Sequence, residues 1–182
     1  LERKATAAST GRWMRGVDVK PIPAIVDPTV EQLDAAINAL DPEAREVCQA
    51  HVLSCRDVGI EIIVTSTWRD HEAQAALYAI GRTVHKERRA VTNAKPGRSW
   101  HNYRCAWDVV PIVDGKCVWD AKDPIWKEVV VLGKLCGAEA GADWRSFPDL
   151  PHFDFVPTIE GLHIGIDEAG ARWKDRGTIF TV

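Results

Sequence analysis

An α+β domain, with helices packed on a small and mostly antiparallel sheet, is the architecture this chain calls for. Helical stripes come first along the sequence, and short β-branched runs follow them. Turn chemistry such as Asp114-Gly115 closes one of those runs into a hairpin rather than a long crossover. The 182 residues, 46% hydrophobic and 27% charged, suit one globular domain large enough to bury a core.

The elements follow in order. Residues 1–28 form an N-terminal segment, and its end, "VKPIPAIVDP" (19–28), is punctuated by prolines and expected to be extended. Val30, Leu33, Ile37 and Leu40 then recur at helical spacing. Asp41-Pro42 reads as an N-cap with proline at the first helical position, and Gly59 as the residue that ends that helix. "IEIIVTSTW" (60–68) is short and β-branched, hence a strand. Asp70 is placed to cap a helix that Gly81 closes, with Ala73, Leu77 and Ile80 facing inward. Residues 82–100 read as a long loop. "CAWDVVPIV" (105–113) and "KCVW" form a hairpin, Asp123-Pro124 opens a helix reaching about Ala140, and "HFDFV" (152–156) is a last strand. The domain proper is expected over 29–157, with 158–182 a tail that carries a short helix and packs on it.

Composition excludes several function classes. A formal net charge of −3 gives no global case for nucleic acid, and no apolar run approaches the roughly 18 residues that span a bilayer. The first 16 residues hold no apolar signal core, so the expectation is synthesis in the cytoplasm without a signal peptide. Five cysteines without CxxC spacing read as small core residues from a reducing compartment, neither a disulfide framework nor a cysteine zinc cluster.

Three polar residues sit among apolar ones: His101, Asp108 and His152. Asp108 shares a strand face with Ala106 and Val110, where a carboxylate is costly unless paired or bound to metal. Two histidines and a carboxylate are a common ligand set for a catalytic zinc ion. Spacing alone leaves two readings open, a metal site or histidines satisfied within a core.

"SWHNYRCAWD" (99–108) resembles the S-x-H-x(6)-D signature of the zinc D-Ala-D-Ala and L-Ala-D-Glu peptidases, the hedgehog/DD-peptidase fold group. "DLPH" (149–152) is similar to that family's acid-x-x-His element, and "STWRDHEAQAALYAIGR" (66–82) to a further segment of it. "VTNAKPGRSWHNY" and "ADWRSFPDLPHF" resemble the phage endolysin branch, which cuts L-alanyl-D-glutamate bonds of peptidoglycan. The resemblance implies Zn2+ held by His101, Asp108 and His152, with Asp149 as catalytic acid/base and Arg69 as the group that polarises the scissile carbonyl. It implies supporting or substrate-contacting roles for Ser66 and Ser99, and Trp100, Trp107 and Trp144 flank the implied site and could line it. The substrate would be a peptidoglycan stem peptide, cut by a monomer at the cell wall or periplasm, with no nucleic-acid partner and no membrane insertion. Within the fold group, a D-Ala-D-Ala carboxypeptidase or dipeptidase and a catalytically silent zinc-binding recognition module are the alternatives.

Asp154 competes with Asp149, because residues 152 and 154 of a strand point to one face. Arg104 stands where the family signature usually has glycine, which suggests a backbone demand at that position. Loop residues Arg82, Lys86, Arg88, Arg89, Lys95 and Arg98 face only Glu87, and either form a solvated loop or rim a cleft that draws in carboxylates. Gln74 and Tyr78 read as solvated helix positions. His51, His71, His85 and His163 read as surface or capping residues.

Overall fold

The computed structural model describes residues 35–180. The extended segment and the first two positions of the early stripe, Val30 and Leu33, lie outside them. A helical turn at 35–38 buries Ile37, and Leu40 behind it is also buried. Helix α1 (Pro42–Asp57) turns Ala44, Cys48, His51 and Cys55 inward, a spacing of four, three and four residues that keeps one face. Its end is a Schellman motif: Gly59, at φ +81°, donates to Arg56 O, and Ile60 donates to Cys55 O. Asp41 precedes the helix but makes no side-chain cap; its N–H donates to Arg104 O, and burial pushes its carboxyl up to about 6.

The sheet runs β1 (Glu61–Ser66), β2 (Ala106–Val113), β5 (His152–Asp154), β4 (Glu139–Ala140), and every pairing is antiparallel. A short β3 (Lys116–Cys117) returns along β2 through Asp114 and Gly115. Both turn residues have positive φ, as a two-residue hairpin with a type I′ twist needs. Trp107 and Phe153 are cross-strand partners on the core face, stacked at 6.1 Å and fully buried. Burying Phe153 alone is worth roughly 3 kcal/mol. Helix α2 (His71–Ala79) carries the expected Asp70 cap, whose Oδ1 accepts from Ala73 N at 2.7 Å.

Three expectations need correction. The helix after Asp123-Pro124, α3 (Ile125–Leu135), stops short of Ala140, because Gly137 turns at φ +97° and residues 139–140 are drawn into strand pairing with β5. On α2, Ala73 is exposed and Gln74 is the buried residue, a rotation of one position. His51 is not a surface histidine: it is 0% exposed, its Nε2 donates to Val129 O at 3.0 Å, and its Nδ1 accepts from Trp107 Nε1 at 3.4 Å. Gly133 lets α3 approach this pair, since a Cβ there would lie 2.5 Å from the Phe153 ring.

The tail forms a small hairpin, β6 (Thr158–Ile159) with β7 (Leu162–His163), and helix α4 (Ile166–Arg176). Ile164, Ala169 and Ile179 join the same core as α1 and β2. The five cysteines are all free, three of them buried.

Candidate active site

The site forms where β2 lies between β1 and β5. Their register sets Asp108 directly opposite His152 on one side and Ser66 on the other. A bulge between Val64 and Ser66 makes the second pairing possible, inserting Thr65, whose Oγ1 donates to Asp108 O. Because side chains alternate, Asp108, His152 and Asp154 share the face opposite Trp107 and Phe153. His101 arrives separately, on a 3-10 turn (Trp100–Tyr103) just before β2.

Three donor atoms converge. His101 Nε2 lies 3.3 Å from His152 Nδ1 and 3.3 Å from Asp108 Oδ1, and His152 Nδ1 lies 3.1 Å from Asp108 Oδ1. A tetrahedron around zinc with bonds of about 2.0–2.1 Å has edges of about 3.3 Å, so the three atoms fit one face of it. The tautomers agree. His101 Nδ1 donates to the Thr67 carbonyl, and His152 Nε2 donates to Asp154 Oδ1 at 2.8 Å. Both histidines therefore turn a lone pair to the same point, each held by a hydrogen bond on its other nitrogen. Among the described residues this is the group of histidine and acid side chains close enough to hold an ion.

Electrostatics follow from that crowding. Burial would raise the Asp108 carboxyl, but the His101 and His152 rings override it and hold it well below the usual carboxylate range. Burial would lower His152, yet hydrogen bonds to Asp108 and Asp154 push it up to about 10 in the metal-free protein. A proton there occupies the place a cation would take. Asp149 is raised, by burial first and by the nearby Asp108 charge second.

Arg69 and Asp149 line the same cleft, about 730 Å3 in volume, as Asp108 and both histidines. Arg69 is braced: Nη1 donates to Gln74 Oε1 at 2.9 Å, Nη2 to Ser66 Oγ at 3.3 Å, and Nη2 stands 3.6 Å from Asp108 Oδ2. Asp149 is held by its backbone, with its N–H donating to Gly141 O and its O accepting from His152 N. Gly141 must be small, because a Cβ would meet Asp149 O at 2.7 Å. Ser99 and Trp100 line the cleft, as does Trp144, whose ring sits 4.8 Å from that of His152. Trp107 does not; it is a core residue, turned to the other face of β2.

Of the six cations in loop 82–98, only Arg98 lines the cleft, where it is ion-paired with Asp167 of α4. Arg82 is a structural staple, donating to Tyr78 O and Thr92 O. Arg104 takes the left-handed conformation, φ +61°, that the usual glycine would suit, and its guanidinium packs over Trp68 at 5.3 Å and Trp173 at 5.9 Å. The backbone demand is real, and an arginine meets it while pointing away from the cleft lining.

Two supporting residues escaped the sequence reading. Gln74 braces Arg69 and donates to Ala94 O, and its i,i+3 spacing from Leu77 puts it on the face of α2 that turns inward. Asn102 donates to Arg69 O and accepts from Gly97 N, tying the glycine loop to the arginine. Nothing local marks it, since its partners lie on separate segments.

Two family profiles, both described as D-alanyl-D-alanine carboxypeptidase, match the chain over residues 37–123 and 92–155. Peptidoglycan L-alanyl-D-glutamate endopeptidase CwlK of Bacillus subtilis (strain 168) is 32% identical over 145 residues, covering 75% of this chain and 77% of that protein. Among solved structures, Serratia marcescens L-Ala D-Glu endopeptidase ChiX superposes with a TM-score of 0.50 at 20% identity, over 68% of this chain and 85% of that one. The latter likeness is one of fold.

Proposed function

Because the chain belongs to the family of zinc D-alanyl-D-alanine carboxypeptidases and L-alanyl-D-glutamate endopeptidases, metallopeptidases acting on peptidoglycan, we propose that it cleaves the L-Ala–D-Glu bond of stem peptides. The observation that carries this reading is the convergence of His101, Asp108 and His152 on one point, in a cleft that Arg69 and Asp149 also line. The 32% identical relative, named for L-alanyl-D-glutamate cleavage, supports the choice of bond. The resemblance of residues 91–103 and 142–153 to phage endolysins supports a lytic role at the bacterial wall.

Zinc, when bound to His101 Nε2, His152 Nδ1 and an Asp108 oxygen, supplies Lewis acidity and lowers the pKa of a water from about 15.7 towards 7. The chain's own groups do the rest. Asp149 takes the proton of the attacking water on its carboxylate and delivers it to the leaving amine of D-Glu. Arg69, held by Gln74 and Ser66, presents a fixed guanidinium to the charge growing on the L-Ala carbonyl oxygen. Asp154 is assigned a different role from Asp149, because its Oδ1 is engaged by His152 Nε2–H and orients that ring. Residues 35–180 act together as the catalytic domain in this reading, with α4 part of it.

The test is Asp149→Ala. Zinc near one per chain with cleavage of purified muropeptides reduced about 10²–10⁴-fold is expected. Unchanged cleavage would move the proton-transfer role elsewhere, and loss of zinc would make Asp149 part of the metal shell. Mass spectrometry of the wild-type products separates the readings of specificity. Free D-Ala with the L-Ala–D-Glu bond intact would make the protein a D,D-carboxypeptidase, the activity for which both matching profiles are named.

A further inference from the structure

One cleft residue has no part in the metal cluster, the arginine brace or the proton path. Trp119 lines the same cleft as Asp108 and Asp149 yet is 57% exposed, and among the described residues its ring stacks on no other ring and under no cation. Its backbone is fixed on both sides. Val118 N donates to Pro111 O at 2.9 Å, extending the β2–β3 pairing, and Asp120 Oδ1 accepts from Lys122 N at 3.0 Å in a tight turn. A large apolar ring is thus held open to water on a rigid platform beside the catalytic groups. Such a ring is suited to a ligand with an apolar face and a polar rim.

The chemistry of the proposed substrate names that ligand. L-Ala is joined through its amine to the lactyl group of N-acetylmuramic acid, so an enzyme cutting L-Ala–D-Glu works one residue away from the glycan. A pyranose ring presents axial C–H groups on one face and hydroxyls around its edge. We propose that Trp119 is a saccharide subsite, stacking on a sugar of the glycan strand attached to the stem peptide under cleavage. This rests on the L-Ala–D-Glu reading, since a bond at the far D-Ala end would not bring a sugar to the cleft.

The experiment uses the whole chain and two substrates: disaccharide-linked stem peptide and the same peptide freed of its sugars. Wild type should show the lower KM for the disaccharide-linked form. Trp119→Ala should lower kcat/KM on that form by about tenfold, the worth of one aromatic contact of about 1.4 kcal/mol, and leave the free peptide unchanged. Trp119→Phe should restore part of the difference. Calorimetric titration with N-acetylglucosaminyl-N-acetylmuramyl-L-alanine, the glycan-side product, gives a readout without turnover, and its affinity should weaken by a similar factor in Trp119→Ala. Equal losses on both substrates, or no loss on either, would overturn the subsite. Cleavage of both substrates only at D-Ala would instead overturn the reading of the bond, a result the product masses reveal separately.

Discussion

Two buried histidines on opposite faces of the sheet have opposite chemistry. His152 lies on the cleft face of β5 between two carboxylates, and its ring is pushed up to about 10. His51 lies on the core side against Phe153 and Trp107, and burial pulls it down to about 4, with the Val129 carbonyl opposing weakly. Burial by itself makes a histidine neutral. Only acids brought alongside turn it into a group that holds a cation, proton or metal. The comparison separates a structural histidine from a functional one on partners rather than on exposure, since both are buried.

The sharpest way to break this contrast is His152→Ala. Loss of a ligand should bring zinc far below one per chain by atomic absorption, and kcat/KM down about a thousandfold or more. Full zinc occupancy in that variant would end the ligand assignment. The counterpart, His51→Ala, should leave zinc at one per chain while costing about 3–4 kcal/mol in urea unfolding, because it opens a cavity and strands Trp107 Nε1.

A pH titration of metal-free stability tests both rings at once. The folded-state value of His51 lies below the ordinary 6.5, so its contribution is complete above pH 6.5 and is lost as pH falls towards 4, on the order of 3 kcal/mol. His152 has the opposite sign: its contribution is complete below pH 6.5 and is lost as pH rises through about 10. Because Asp41, raised to about 6, contributes with the opposite sign in the same window, the check is the difference between variants: an acid limb unaltered by His51→Gln would contradict the assignment of His51. The smallest effect is expected for Asp154→Asn, which keeps shape but loses the charge that orients His152. Zinc affinity, measured by competition with a chelator, should fall about 10–100-fold.

Much of the fold could be read locally. The Asp70 cap, the Gly59 terminus and the Asp114-Gly115 hairpin are decided by a few neighbouring residues, and each lies where expected. The end of α3 is legible in part: Gly137 is a local stop like Gly59, but Ala138, Glu139 and Ala140 beyond it favour helix, and only β5 supplies residues 139–140 with the backbone partners that make them a strand. His51 and Gln74 read as surface groups in the sequence for the same reason, although both are fully buried. A polar residue on an apolar face looks solvated until its partner, Val129 O or Arg69, is seen to arrive from another element.

The sequence alone determined the α+β class, through residue type and short-range periodicity, and its resemblance to the zinc peptidases singled out His101, Asp108 and His152 as a candidate donor set, with acids and an arginine near them in order along the chain. Tertiary structure decided the division of labour: the 3.1–3.3 Å convergence, the engagement of Asp154 by His152, the burial of Trp107 and the exposure of Trp119. Asp108 and His152 are 44 residues apart. Whether they meet depends on strand register, where a slip of one residue would turn each side chain to the opposite face.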